Sequence, residues 1–598
     1  MKKVLSIILV CVMIGAIVGY SLLGFDFEDN SADVEILRVY NWEEYISESD
    51  ANKIEWSDYL SGEYQLDEDD EYIDLIYLFE SYCREELGRN VKVEYSTFGT
   101  NENMYNELNL SKKEVGGKVS YSYDLVCPSE YMLLKMMKED MLEPLSDDEN
   151  RSDIAVYDQN SSEYIRNLFK GLKIQTNAGE EKVLYDYATC YMWGTMGYVY
   201  NPELVDSEAA KHWSLLWDDR YKGDSTIKDS VRDSYILALG YVYEQELMDL
   251  REKYLNGELS ATEYNNTLTE IYNRTDDESI NKAGEALTSL KDRLFGYEVD
   301  SGKKDMAQGK IKINFAWSGD AVYTMDFAEE DSEGEVLLEY AVPEEGSNIF
   351  FDGWAMPKGA NKELARLFIN FVSRPESACM NMNYIGYSSS IAGDVMFENA
   401  VDWYGTYVLV PCAETDEDAI SLDGGYYQEV FMGDLDSETL ESMRVLDNVY
   451  RLNLPVYDDD YNVIGISKDE EIEIFATDLS YFFNTVKEGE EGYKSYVMYT
   501  DQASRQCETQ YPGYEVITRC TVMKCFTDDE IRSLNNMWDS AKVGDASLTN
   551  LLIVIGVVIL VIVIFAVLSI LYRKDIIKRT KTHKNLTLVS TQKDDRKV

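Results

Sequence analysis

A chain of 598 residues is too long for one compact core and has room for two or three globular units. Its 111 Asp and Glu against 55 Lys and Arg, a formal charge of −56, repel the phosphates of nucleic acids and acidic lipids, which excludes nucleic-acid binding. With 45% hydrophobic and 12% aromatic residues it is no disordered acidic tail, so most of it should fold.

In chain order, the first element is an uncharged apolar run from Val4 to Phe25, preceded by Lys2 and Lys3. At 1.5 Å of rise per residue, a helix of this length spans a hydrocarbon core of about 30 Å. A cleaved signal peptide and a retained N-terminal membrane anchor over residues 1–25 both fit. Next, β-like runs at 36–40 (ILRVY) and 91–97 (VKVEYST) flank a helical segment at 74–87, a βαβ pattern that predicts a parallel sheet. An acidic stretch at 48–72 interrupts it as a surface insertion. A polar helix near 104–110 and a third strand at 123–128 complete the expectation of an α/β lobe.

Farther on, WGTMGYVYN at 193–201 reads as a strand whose glycines allow close backbone approach or a hinge. Residues 242–293 are highly charged, helix-like and free of proline. Strands follow at 310–317 and 350–357, with a helix at 361–374. Residues 400–500 are acidic and tyrosine-rich without a clear period. The acidic segments 48–72, 242–305 and 400–500 are all expected to be solvated surface.

The last hydrophobic run, Leu551 to Tyr572, is followed at once by Arg573, Lys574, Lys578, Arg579, Lys581 and Lys584. These place the 573–598 tail in the cytoplasm by the positive-inside rule. Residues 549–572 are thus expected as a transmembrane helix, with residues 26–548 extracytoplasmic at the cell membrane. Residues 1–25 hold two lysines and no acid, and 573–598 hold nine Lys or Arg against three Asp, so the body between carries −64.

Several chemistries drop out. Only two histidines exist, His212 and His583, so a histidine triad or a multi-histidine metal site is excluded. Eight cysteines lie in the body at irregular spacing and predict no specific bridge; the close pair Cys520 and Cys525 lacks a second pair for zinc. No Walker sequence is present. No catalytic residue, metal or cofactor is expected, and the chain is read as a non-enzyme.

Nine blocks carry a family resemblance: VYNWEEYI at 39–46, YSTFGTNENMY at 95–105, YDLVCPSEYMLLKM at 123–136, WGTMGYVYN at 193–201, SLLWDDRYKG at 214–223, DSVRD at 229–233, AWSGDA at 316–321, FFDGWAMPKGA at 350–360 and YIGYSS at 384–389. In this order they resemble the spermidine/putrescine-binding proteins of polyamine ABC transporters. The resemblance implies an α/β, two-lobed clamshell of the type II periplasmic-binding-protein kind, hinged and closing on one polyamine. It implies a first lobe of 33–195 completed by 345–398, and a second of 196–344 completed by 400–548. Permease and ATPase would be separate chains in the membrane.

Polyamine chemistry can be judged from residue types alone. A flexible alkyl chain with two or more ammoniums needs aromatic faces along its methylenes and carboxylates at its amines. Carried over position by position, the resemblance implies ligand contacts from Trp42, Glu43 and Tyr45 on the first lobe. It implies Ser129 and Tyr131 beside them, Asp233 as the second-lobe carboxylate, and Trp317 packing on the alkyl chain. Asp352 would take a terminal ammonium, with Tyr387 as a further wall. Two positions depart from the pattern: Ser230 stands where some relatives carry an acid, and Phe350 where the family carries a tryptophan. Putrescine and spermidine both remain open. A membrane-tethered polyamine sensor is the alternative function, and a hydrolase built on Asp229 and Asp233 a weaker one.

Overall fold

The computed structural model describes residues 34–48, 74–332, 334–416, 418–422, 424–458, 462–483 and 495–543. Both apolar runs, the basic tail and nearly all of the 48–72 stretch lie outside these residues. Among the described residues no helix is long and apolar enough to cross a membrane.

Strands β1 (Glu35–Trp42) and β2 (Val91–Phe98) pair in parallel along their full length, with α1 (Leu75–Glu85) between them in sequence. This is the βαβ unit expected from the alternation of apolar runs. The helix buries Leu75, Leu78, Phe79 and Cys83 at helical spacing, and the Asp74 carboxylate caps it by accepting the Tyr77 N–H at 2.9 Å. After α2 (Asn101–Leu110), the strand expected at 123–128 shrinks to β3 (Leu125–Val126), parallel to β1. Pro128, which has no N–H to give a ladder, lies just beyond it, and α3 (Glu130–Lys138) follows.

The second half of the sheet is built from β4 (Ala188–Tyr200), β5 (Ser225–Lys228), β6 (Gly296–Glu298) and β7 (Ile313–Trp317), with α4 (Val231–Val242), α5 (Ser301–Ala307) and α6 (Ser318–Asp331) following β5, β6 and β7. The chain then returns through β8 (Ser347–Pro357), α7 (Lys362–Val372) and α8 (Pro375–Ile385). The order across the sheet is β6-β5-β7-β4-β8-β3-β1-β2. Each half therefore repeats one plan: three parallel strands flanked by one long antiparallel strand. The two long strands, β4 and β8, pair with each other and join the halves. Every residue of both is buried, which is why they read as near-continuous apolar runs.

The charged region 242–293 folds as three helices, Glu244–Leu255, Ala261–Tyr272 and Asp277–Lys291. These are not solvated throughout: Leu247, Tyr264, Leu268, Ile271, Leu287 and Leu290 form a buried face. Region 400–500, expected as plain surface, holds a three-stranded sheet around Gly425–Phe431 and a four-stranded antiparallel sheet containing Val449–Tyr457 and Val463–Asp478. Leu452, Ile474 and Tyr499 give this sheet a buried side. Beyond it, Cys520–Thr521 pairs with β8, and helix Asp528–Val543 packs back on α4 and on Asp277–Lys291.

Candidate functional site

In a sheet of parallel strands, the backbone opens at the carboxyl ends, and ligands bind there. Here the carboxyl ends of both halves converge. Trp42 ends β1, Phe98 ends β2, Lys228 ends β5, Glu298 ends β6 and Trp317 ends β7, and all five line one cleft. All nine candidate residues line it: Trp42, Glu43, Tyr45, Ser129, Tyr131, Asp233, Trp317, Asp352 and Tyr387. Eight are buried or half-buried; Glu43 is exposed.

One end is acidic. Asp352 lies in β8 where the register to β4 shifts between Asp352 and Gly353, a bulge that re-aims the side chain. A side chain at Gly353 would meet the Thr189 carbonyl oxygen at 2.7 Å, so the bulge requires glycine. The Asp352 carboxylate accepts the Ser129 hydroxyl at 2.7 Å and the Tyr45 hydroxyl at 2.8 Å. Ser129 is itself held by Asn101, whose amide donates to the Ser129 Oγ and the Tyr131 OH, both at 3.0 Å. Asp233 sits in the first turn of α4, capped by Ser230, so the position is a helix N-terminus as well as a cleft wall.

Burial dominates the titration of these acids. It raises the Asp352 carboxyl to about 7 against the opposing hydroxyls of Ser129 and Tyr45, and raises Asp233 to about 6. Glu130, fully buried at the start of α3, is pushed to about 8 by burial although it accepts the N–H groups of Phe351 and Met523. Among the described residues no cationic side chain lies within ion-pair distance of Asp352 or Asp233.

The walls are aromatic. Trp42 packs against Phe98 with ring centroids 4.7 Å apart, and meets Trp317 of the other half at 6.3 Å. Tyr45 lies edge-on to Tyr387 at 4.8 Å, and the Tyr387 hydroxyl donates to Asp320 at 2.9 Å. Tyr387 follows Gly386, which ends α8 in a left-handed conformation with φ 76°. A Cβ on Gly319 would sit 2.1 Å from the Tyr387 ring, so only glycine admits it there.

The other end holds residues that sequence reasoning missed. The Lys228 ammonium is 3.0 Å from both Glu298 and Asp320 and lies 4.2 Å over the Trp317 ring. Burial alone would depress its pKa, but the two carboxylates hold it above the ordinary lysine value. Lys303 of α5 bonds Glu44 of the first half at 3.0 Å and lies 3.7 Å from Asp320. The available signal was positional: Lys228 immediately precedes DSVRD, and Asp320 lies within AWSGDA. Outside the cleft, His212, Glu244 and Glu345 bring ligand atoms within 4.8 Å of one another, and His212 is bonded to Glu345 at 2.8 Å.

Known proteins are similar to part of this sequence. The spermidine/putrescine-binding periplasmic protein of Escherichia coli (strain K12) is 26% identical over 367 residues, 60% of this chain and 88% of its own. Its Salmonella typhimurium counterpart is 25% identical over 359 residues, 60% of this chain and 78% of its own. A putrescine-binding periplasmic protein of Pseudomonas aeruginosa is 26% identical over 380 residues, 63% of this chain and 82% of its own. Among solved structures, a spermidine/putrescine ABC transporter substrate-binding protein from Streptococcus pneumoniae superposes with a TM-score of 0.45 at 22% identity, covering 85% of this chain and 99% of its own. A family model described as bacterial extracellular solute-binding protein matches residues 81–394, more than half of the sequence and most of the cleft-forming elements, and the chain belongs to that family.

Proposed function

We propose that this protein is the membrane-anchored receptor of a polyamine importer, capturing putrescine or spermidine between its two halves and passing it unchanged to a separate ABC permease. One observation carries the reading: among the described residues Asp352 and Asp233 are buried carboxylates with no cation within ion-pair distance, although Lys228 and Arg232 act on Asp233 from farther off, in a cleft walled by Trp42, Trp317, Tyr45 and Tyr387. A buried, unpaired carboxylate is costly, and an ammonium entering the cleft would offset that cost. Each ring face adds about 0.5–2 kcal/mol of attraction for a cation. The relatives named for polyamine binding support the same chemistry. The Leu551–Tyr572 run supplies the anchor in this reading, and residues 26–548 face outward.

Calorimetry of the 26–548 fragment tests it, with putrescine, spermidine and a neutral diol of matched length. Diamine or triamine should bind and the diol should not. Equal binding of the diol overturns the cation-based reading.

A further inference from the structure

Five buried carboxylates line the cleft: Glu130, Asp233, Glu298, Asp320 and Asp352. Their partners divide them. Glu130 accepts two backbone N–H groups. Glu298 and Asp320 grip the Lys228 ammonium, whose remaining hydrogen bond goes to the Val299 carbonyl oxygen at 2.8 Å. Lys228 is 1% exposed, and its charge rests on the face of Trp317. A ring face combined with carboxylates is the environment that the proposed function assigns to a ligand ammonium. At this end of the cleft the protein has filled it with its own side chain. Lys303 closes the same end from outside, between Glu44, Asp300 and Asp320. Of the three acids with no cation within ion-pair distance, Glu130 is spent on backbone N–H groups, which leaves Asp352 and Asp233, two carboxylates for two ammoniums.

Resting on the polyamine reading, we propose that Lys228 is a resident ammonium that occupies one cation subsite of the cleft, so that the site selects a diamine over a longer triamine. The lysine acts in two ways. It fills the volume over Trp317 that a third ammonium would need, and it neutralises Glu298 and Asp320, which would otherwise attract that ammonium. A triamine entering the cleft must leave one charge desolvated and unpaired, or displace Lys228 from two hydrogen bonds and its ion pair with Glu298.

The experiment is calorimetry of the full chain in detergent with putrescine and spermidine, comparing wild type with Lys228→Ala. Wild type should prefer putrescine. In Lys228→Ala the ratio of spermidine to putrescine affinity should rise at least fivefold, because Glu298, Asp320 and the Trp317 face become available to a third ammonium. Removing Lys228 leaves two buried acids short of charge, Glu298 with no cation and Asp320 with only Lys303 at 3.7 Å, and can prevent folding. The double variant Lys228→Ala/Glu298→Gln removes one of them and keeps Asp320, and the same fivefold rise is expected. A smaller rise in whichever variant folds, or a wild-type preference for spermidine, overturns the assignment of Lys228 while leaving polyamine binding intact. If wild type binds neither amine, the polyamine reading fails and the Lys228 assignment falls with it.

Discussion

Asp352 concentrates the chemistry of the cleft in one side chain. It is 5% exposed, receives two hydroxyl donors and has no cation. Replacing it by Asn keeps the size but removes the charge, and diamine affinity should fall more than tenfold by calorimetry, as loss of a buried charge-assisted contact does. An unchanged affinity would remove Asp352 from the site. Because burial lifts its carboxyl to about 7, the group is neutral in mildly acidic solution. An incoming ammonium must then displace a proton, so affinity should rise with pH up to about 7, by up to about tenfold per pH unit below it. Asp352→Asn should flatten that profile between pH 6 and 7 and leave below 6 only the slope that Asp233 contributes; a profile that keeps its slope above 6 would place the titrating group elsewhere.

At the scale of elements, the site depends on where strands stop and helices begin. Glu102, Glu130, Asp233 and Asp320 all lie in first turns of helices, where the aligned peptide dipoles favour negative charge. The first turn of α6 also supplies Gly319, against which the Tyr387 ring lies flush. A methyl group there would push the ring away and break its hydroxyl contact to Asp320. Gly319→Ala should therefore cost about 1–3 kcal/mol of stability in denaturant titration, as overpacking does, and weaken diamine binding in parallel. Stability loss with unaltered affinity would mean that Tyr387 packs the cleft without serving it.

For the whole molecule, the decisive feature is that two sheet halves, joined by β4 and β8, hold acids and rings against one another. The Lys303–Glu44 ion pair and the Trp42–Trp317 contact both cross from one half to the other. Burying acids in this way couples stability to pH with a definite sign. Asp352, Asp233 and Glu130 titrate at about 7, 6 and 8, above their ordinary values of 3.8, 3.8 and 4.5. The folded state therefore holds protons that the unfolded chain releases. Their stabilisation is fully present below the unfolded values and is lost as pH rises through 6 to 8. The melting temperature of the ligand-free 26–548 fragment should fall by a few degrees between pH 5 and pH 8, and saturating diamine should restore it at pH 8. A melting temperature that rises over that interval without ligand would contradict this coupling.

Much of this was legible from sequence, and the remainder was hidden for physical reasons. Apolar runs identified the βαβ unit, part of the long strand Ala188–Tyr200 and the helix at 361–374, because burial leaves its pattern in the chain. The short blocks around Trp42, Ser129, Asp233, Trp317, Asp352 and Tyr387 nominated residues that all line one cleft, since strand ends and helix starts keep their side chains within a few positions of a motif. The small sheets within 400–500 left no such trace: their strands are half-buried along much of their length, so buried and exposed positions do not alternate. Glu298 and Lys303 were equally silent, and Lys228 and Asp320, though beside or within quoted blocks, gave no sign of meeting. Sequence by itself determined the acidic body, the apolar runs and nine residues that line the cleft; tertiary structure alone decided which charges meet, because an ion pair between residues 70 or 92 positions apart has no local signature.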